Sequence, residues 1–162
     1  MPSRTITSQP KFGKVIDVEV PTHVVGTLDF KIGAIGSIVT SFDVWKHSLP
    51  CIEIHGTEGS LRVPDPNGFG GKVELFRPEG GGWEAVEHTH GYGVNTRSLG
   101  VADMAHAIRS GRSHRANGAM AYHVLDIMHA IHDASSNGHY IHLSSQVERP
   151  APFPSGTAIL PN

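Results

Sequence analysis

The hydrophobic period of this chain changes once, and that change limits what it can fold into. From residue 15 to residue 86, apolar and polar side chains alternate in short runs separated by glycine and proline. Beyond residue 99 apolar residues recur every three or four positions. A period of two places alternate side chains on opposite faces of a strand, and a period near 3.6 builds one face of a helix. The order is therefore strands first and helices afterwards, an α+β arrangement rather than an alternation of β and α.

The strands can be read individually. Val15 to Val20 alternates, and Pro21 closes it. Val24, Leu28 and Phe30 share one face of the next strand, with His23, Val25, Thr27 and Asp29 on the other. Lys31-Ile32-Gly33-Ala34 predicts a hairpin turn, because Gly33 can take φ > 0 without steric cost. A third strand runs to about Trp45. Further strands are expected around Ile52 and Ile54, Leu61 and Val63, Val73 and Leu75, and Trp83 to Val86. Nineteen glycines and eleven prolines supply the turns of an antiparallel meander. Leu99, Ala102, Ala105 and Ile108 predict a first helix, capped by Asn95 or Thr96 and stopped by Gly111. Met120, Val124, Ile127, Ile131 and Ala134 predict a second, with Asn117 as its cap and Asn137-Gly138 as its stop. Tyr140 to Leu143 reads as a last strand. Residues 1–12 read as an irregular lead-in, 13–143 as the folded domain, and 144–162 as a proline-rich extended tail.

The expected architecture is a largely antiparallel open sheet with both helices on one face. The other face carries Val25, Ile35, Val39 and Trp45 among Thr27, Ser37, Ser41 and Asp43. A mixed face of that size is expected to be covered by a second copy of the same surface.

Bulk properties exclude several functions. A net charge of −2 announces no basic face for nucleic acid. No apolar run approaches the ~20 residues of a membrane span. Cys51 is the sole cysteine, so an internal disulfide and a thiolate zinc cluster are ruled out, and a reducing, cytoplasmic setting is expected.

Gly91-Tyr92-Gly93-Val94-Asn95-Thr96 is the nearest approach to a dinucleotide fingerprint. It lacks the third small residue, a preceding buried strand and an acid about 20 residues on. The chain is therefore expected to hold no cofactor itself. His88 and His90 would share one side of a strand, but a closed metal site needs three or four convergent ligands, so no metal is assigned. Cys51 after Pro50 reads as a small packing residue, and no G-x-S-x-G elbow is present. The loop from Thr89 to Arg97 is different in kind. Tyr92, Asn95 and Arg97 bring an aromatic face, an amide and a fork of donors to a helix start, groups suited to a polyol, sugar or carboxylate. Helix capping and surface charge account for the same residues equally well.

Four segments, taken in order, resemble the second domain of the Gfo/Idh/MocA oxidoreductases, the family of glucose–fructose oxidoreductase and inositol dehydrogenase. They are the hairpin from Leu28 to Ile38, the run Ile52-Glu53-Ile54-His55-Gly56-Thr57-Glu58-Gly59-Ser60-Leu61, the helix Asp103 to Gly111, and the helix around Tyr122 to Leu125. The resemblance implies a parent with an N-terminal Rossmann domain binding NAD or NADP. It also implies hydride transfer to or from a sugar, cyclitol or related alcohol, and an open sheet that builds a homo-oligomer. The family's catalytic lysine in Glu-Lys-Pro and its Asp/His pair have no counterpart among these residues, so no catalytic residue is assigned. Trp45, His47, Tyr92, Asn95 and Arg97 are the expected pocket residues, from their places at strand ends and before the helix. The alternative is a stand-alone binding or assembly module of the same fold without redox activity. A metal-dependent enzyme using His88 and His90 is a third.

Overall fold

In the computed structural model, residues 3–94 and 97–155 are described. They form eight strands followed by two helices. Every strand pairing is antiparallel and the sheets are open, as the strand-then-helix pattern requires. The meander is not one sheet, however. It divides into two two-stranded ladders and one four-stranded sheet. The chain also falls into two compact units, residues 1–48 and 49–162.

In the first unit, β1 (Ser3–Thr5) pairs with β2 (Val15–Asp17). Residues 3–5 thus form a strand inside the stretch expected to be irregular. Three residues are too few for periodicity to show; the partner edge of β2 makes the strand. β3 (His23–Asp29) and β4 (Ile35–Ser41) form a hairpin with Val25 directly opposite Val39 and Asp29 opposite Ile35. Gly33 sits at φ 86° in the turn, and the Phe30 and Gly33 main chains close it. β4 stops at Ser41, short of Trp45. There Ser41 Oγ accepts the Asp43 N–H at 3.0 Å, while Asp43 takes hydrogen bonds from Thr22 and Arg4. Side-chain bonds of this kind draw the backbone out of the ladder.

In the second unit, β5 (Ile52–Gly56), β6 (Gly59–Val63), β7 (Val73–Phe76) and β8 (Trp83–Val86) form a meander in chain order. Its register sorts the side chains by face. Ile54, Leu61 and Leu75 lie in one row, and Glu53, Arg62 and Glu74 in a row on the opposite face. Arg62 stands between the two carboxylates and lies 4.1 Å from the Trp83 ring centre.

α1 (Leu99–Ser110) ends at Gly111, φ 69°, whose N–H reaches Ala107 O. Its N-cap is Ser98; Asn95 and Thr96, expected as caps, lie outside the described residues. The buried face of α1 is not the expected one. Asp103 and Ala107 are buried, whereas Ile108 is 76% exposed. The connector after α1 wraps Asp103 rather than the apolar stripe, which explains the phase. α2 (Gly118–Asn137) starts as expected, with Asn117 Oδ1 accepting the Met120 N–H at 2.9 Å, and stops at Gly138. Tyr140 to Leu143 do not form the expected strand; residues 140–154 run without regular structure. A strand requires a neighbouring edge to accept its hydrogen bonds, and this segment is tied instead by side chains.

Among the described residues Ala107 is the one buried apolar side chain. No helix among them is long and apolar enough to cross a membrane.

Candidate functional site

Two loops at one end of the four-stranded sheet are bound together. The first joins β6 to β7, and the second leads from β8 to α1. In the first, Asp65 Oδ1 accepts the Asn67 N–H at 2.8 Å and Asp65 O accepts the Gly68 N–H at 3.0 Å, making a local turn. Arg97 Nη2 then donates to Asn67 Oδ1 at 2.8 Å. His88 Nε2 donates to Gly71 O at 2.8 Å. Gly70 approaches Gly93 so closely that a Cβ there would lie 2.5 Å from Gly93 O. Gly70 is therefore a contact requirement rather than a flexible link.

A cleft of about 290 Å³ opens where these loops meet the sheet. Phe69, Val73 and Val86 supply its apolar wall. Glu87, His88, Thr89, His90 and Tyr92 supply polar groups and an aromatic ring. His90 carries its proton on Nε2, which donates to Phe153 O at 3.0 Å. Its Nδ1 then accepts from Thr89 Oγ1 at 2.8 Å. With both ring nitrogens of His90 engaged, His88 and His90 do not form a free ligand pair. Among the described residues no group of three or more His, Cys, Asp or Glu is placed to hold a metal.

Of the five expected pocket residues, Tyr92 lines the cleft. Arg97 braces the loop through Asn67 and does not line it. Asn95 lies outside the described residues. Trp45, 95% exposed, and His47 belong to the first unit, whereas Tyr92 and Arg97 belong to the second. The interface candidates Val25, Ile35 and Val39 are 60%, 78% and 54% exposed on the β3–β4 hairpin.

Sequence reading missed an ionic cluster on α1 and the connector after it. Asp103 Oδ1 receives Arg112 Nη2 at 2.6 Å and Arg115 Nη1 at 2.5 Å, and Oδ2 receives the Arg115 N–H at 2.9 Å. Burial alone would raise this carboxyl's pKa. The Arg112 guanidinium, the Arg115 backbone N–H and the Arg115 guanidinium more than reverse that, and the pKa falls from 3.8 to about 2. A signal was available, since Asp103 interrupts the small apolar residues of α1 and two arginines follow the stop at Gly111.

A second cluster lies on α2. Ser145 Oγ donates to Asp126 Oδ2 at 2.6 Å, and His123 Nδ1 meets the same hydroxyl at 2.7 Å. The residue types are those of a hydrolase triad, but the order is wrong. The serine proton goes to the carboxylate, so the imidazole is the donor and not the base. Ser145 holds the Asp126 carboxyl below its ordinary pKa. The cluster fastens the tail to α2.

Gly91–Val94 is the described part of the segment read against a dinucleotide fingerprint. The strand before it, β8, belongs to an antiparallel sheet, and among the described strands no pair is parallel, unlike the βαβ setting of such a fingerprint.

Antiparallel open sheets followed by two capped helices define an α+β domain with a small polar and aromatic cleft. Residues 3–62 match the family model described as the GFO/IDH/MocA C-terminal domain. The match runs from β1 into β6 and includes the Gly56-Thr57-Glu58-Gly59 turn. No characterised relative and no solved structure matches the chain.

Proposed function

We propose that this chain serves as the substrate-contact and self-association domain of an NAD(P)-dependent oxidoreductase acting on a sugar, cyclitol or related alcohol. The observation that carries the reading is the match of residues 3–62 to the GFO/IDH/MocA C-terminal domain. Nicotinamide chemistry would be supplied by a Rossmann domain, since hydride transfer needs a bound cofactor. The cleft supports the substrate half of the reading. Its apolar wall, its Tyr92 ring and its carboxylate, hydroxyl and imidazole groups suit a small polyhydroxylated molecule. Titrating the protein with a panel of sugars and cyclitols, followed by NMR, tests this. Shifts should localise to residues 87–93 and disappear in Tyr92→Ala. A panel that perturbs none of these residues would remove the substrate role.

The β3–β4 hairpin supports the association half. A lone two-stranded ladder is marginal in water, and Val25 and Val39 form a directly opposed, exposed apolar pair on it. Val39→Glu places a charge on that face, and Trp45→Ala removes the 95%-exposed ring that follows the hairpin in the same unit. Each should shift the mass measured by light scattering from dimer or larger toward monomer. An oligomer of unchanged mass in both variants would exclude this face. A stable oligomer that ignores every sugar and alcohol tested would favour an assembly module of the same fold.

A further inference from the structure

Residues 150–154 read Pro-Ala-Pro-Phe-Pro. Proline at alternate positions removes the N–H groups of 150, 152 and 154, which leaves carbonyl oxygens as the main-chain groups this stretch chiefly presents. Three consecutive carbonyls are taken. Arg115 Nε donates to Ala151 O at 2.7 Å, Arg115 Nη2 to Pro152 O at 2.9 Å, and His90 Nε2 to Phe153 O at 3.0 Å. The Phe153 ring lies 4.2 Å from the Arg115 guanidinium carbon and 6.1 Å from the Tyr92 ring centre. These are the elements by which proteins grip extended proline-rich segments: aromatic surface, and donors spaced to the carbonyls.

The receptor half does not depend on its occupant. Asp103, 1% exposed, holds Arg115 through its guanidinium and its backbone N–H, and Arg112 balances the charge. With the segment gone, Arg115 would keep its orientation. We infer that Arg115, His90 and Tyr92 form a binding site for an extended proline-rich peptide, loaded by residues 150–154 of its own chain and open to the same segment from a second copy. The inference does not rest on the oxidoreductase reading.

The full-length protein and a labelled peptide of residues 147–155 test it by fluorescence anisotropy. A tethered segment competes at an effective concentration on the order of millimolar, so the wild type should take up the peptide weakly. Phe153→Ala in the protein loosens the resident segment and leaves the receptor intact, and should tighten peptide binding by about tenfold. Adding Arg115→Gln should abolish that gain. Pro152→Gly, which loosens the segment through chain entropy, replaces Phe153→Ala if the latter loses wild-type helicity. A loosened variant that binds peptide no better than wild type, or binds equally well without Arg115, overturns the site. Exchange is read separately. Arg115→Gln protein and Phe153→Ala protein, labelled at the exposed Cys51 with donor and acceptor, are mixed. Energy transfer that excess unlabelled peptide lowers supports exchange between copies; transfer that the peptide leaves unchanged, as association through the β3–β4 face alone would give, or none, overturns exchange.

Discussion

Asp103→Ala is expected to lower the stability of the second unit by about 2–3 kcal/mol, since it removes the carboxylate that holds two partly exposed arginines. The carboxylate is 2% exposed and its arginines 33% and 19%, so solvent reaches the pairs from the arginine side. The loss should appear as an earlier midpoint in urea and a lower melting temperature, and with it a looser tail, because Arg115 is aimed by this carboxylate. A loss under about 1 kcal/mol would show that the cluster merely breaks even against desolvation.

The same residue sets an acid limit. Its folded pKa, about 2, is below its ordinary value of 3.8. A group depressed on folding stabilises the folded form above the unfolded pKa and loses that contribution as pH falls toward the folded one. Asp103 should therefore contribute about 2 kcal/mol in full above pH 3.8, lost between pH 3.8 and about 2. Asp103→Asn should flatten the stability curve in that window. An unchanged slope would mean that other carboxylates govern acid unfolding.

Gly59→Ala is expected to cost about 3 kcal/mol, the upper end for overpacking a fixed site. A Cβ at Gly59 would overlap the Phe76 carbonyl oxygen, and Phe76 lies on β7, the strand paired with β6. Backbone cannot swing aside as a flexible side chain can. The requirement also explains the second glycine of Gly56-Thr57-Glu58-Gly59: it admits the neighbouring strand. Gly33→Ala forms the comparison. No atom lies within 4 Å of a Cβ there, so only the positive φ opposes it, at roughly 1 kcal/mol. Equal losses at the two positions would refute the steric explanation.

Strand positions were legible because alternation and turn glycines are local signals. The hairpin about Gly33 and the meander from Ile52 to Val86 lie where those signals put them. The division into separate sheets was not legible, because which edges meet is decided by distant residues. β1 was too short to show a period. The phase of α1 was misread because the pattern counts apolar residues, whereas here a carboxylate with two arginines takes the inner position. At the candidate site, Tyr92 could be found from its polar and aromatic loop. The bracing role of Arg97 could not, since it depends on Asn67, thirty positions away. The grip on residues 150–154 was hidden for the same reason: Arg115 and Ala151 are joined across 36 positions.

The row Glu53, Arg62 and Glu74 has one further consequence. Side chains alternate across a sheet, so a slip of one position in β6 would turn Arg62 onto the side that holds Ile54 and Leu75 and leave both carboxylates facing apolar neighbours. The three charges thus work as a key for strand alignment. They are matched in the native pairing and mismatched in the shifted one, which favours the native alignment of the meander.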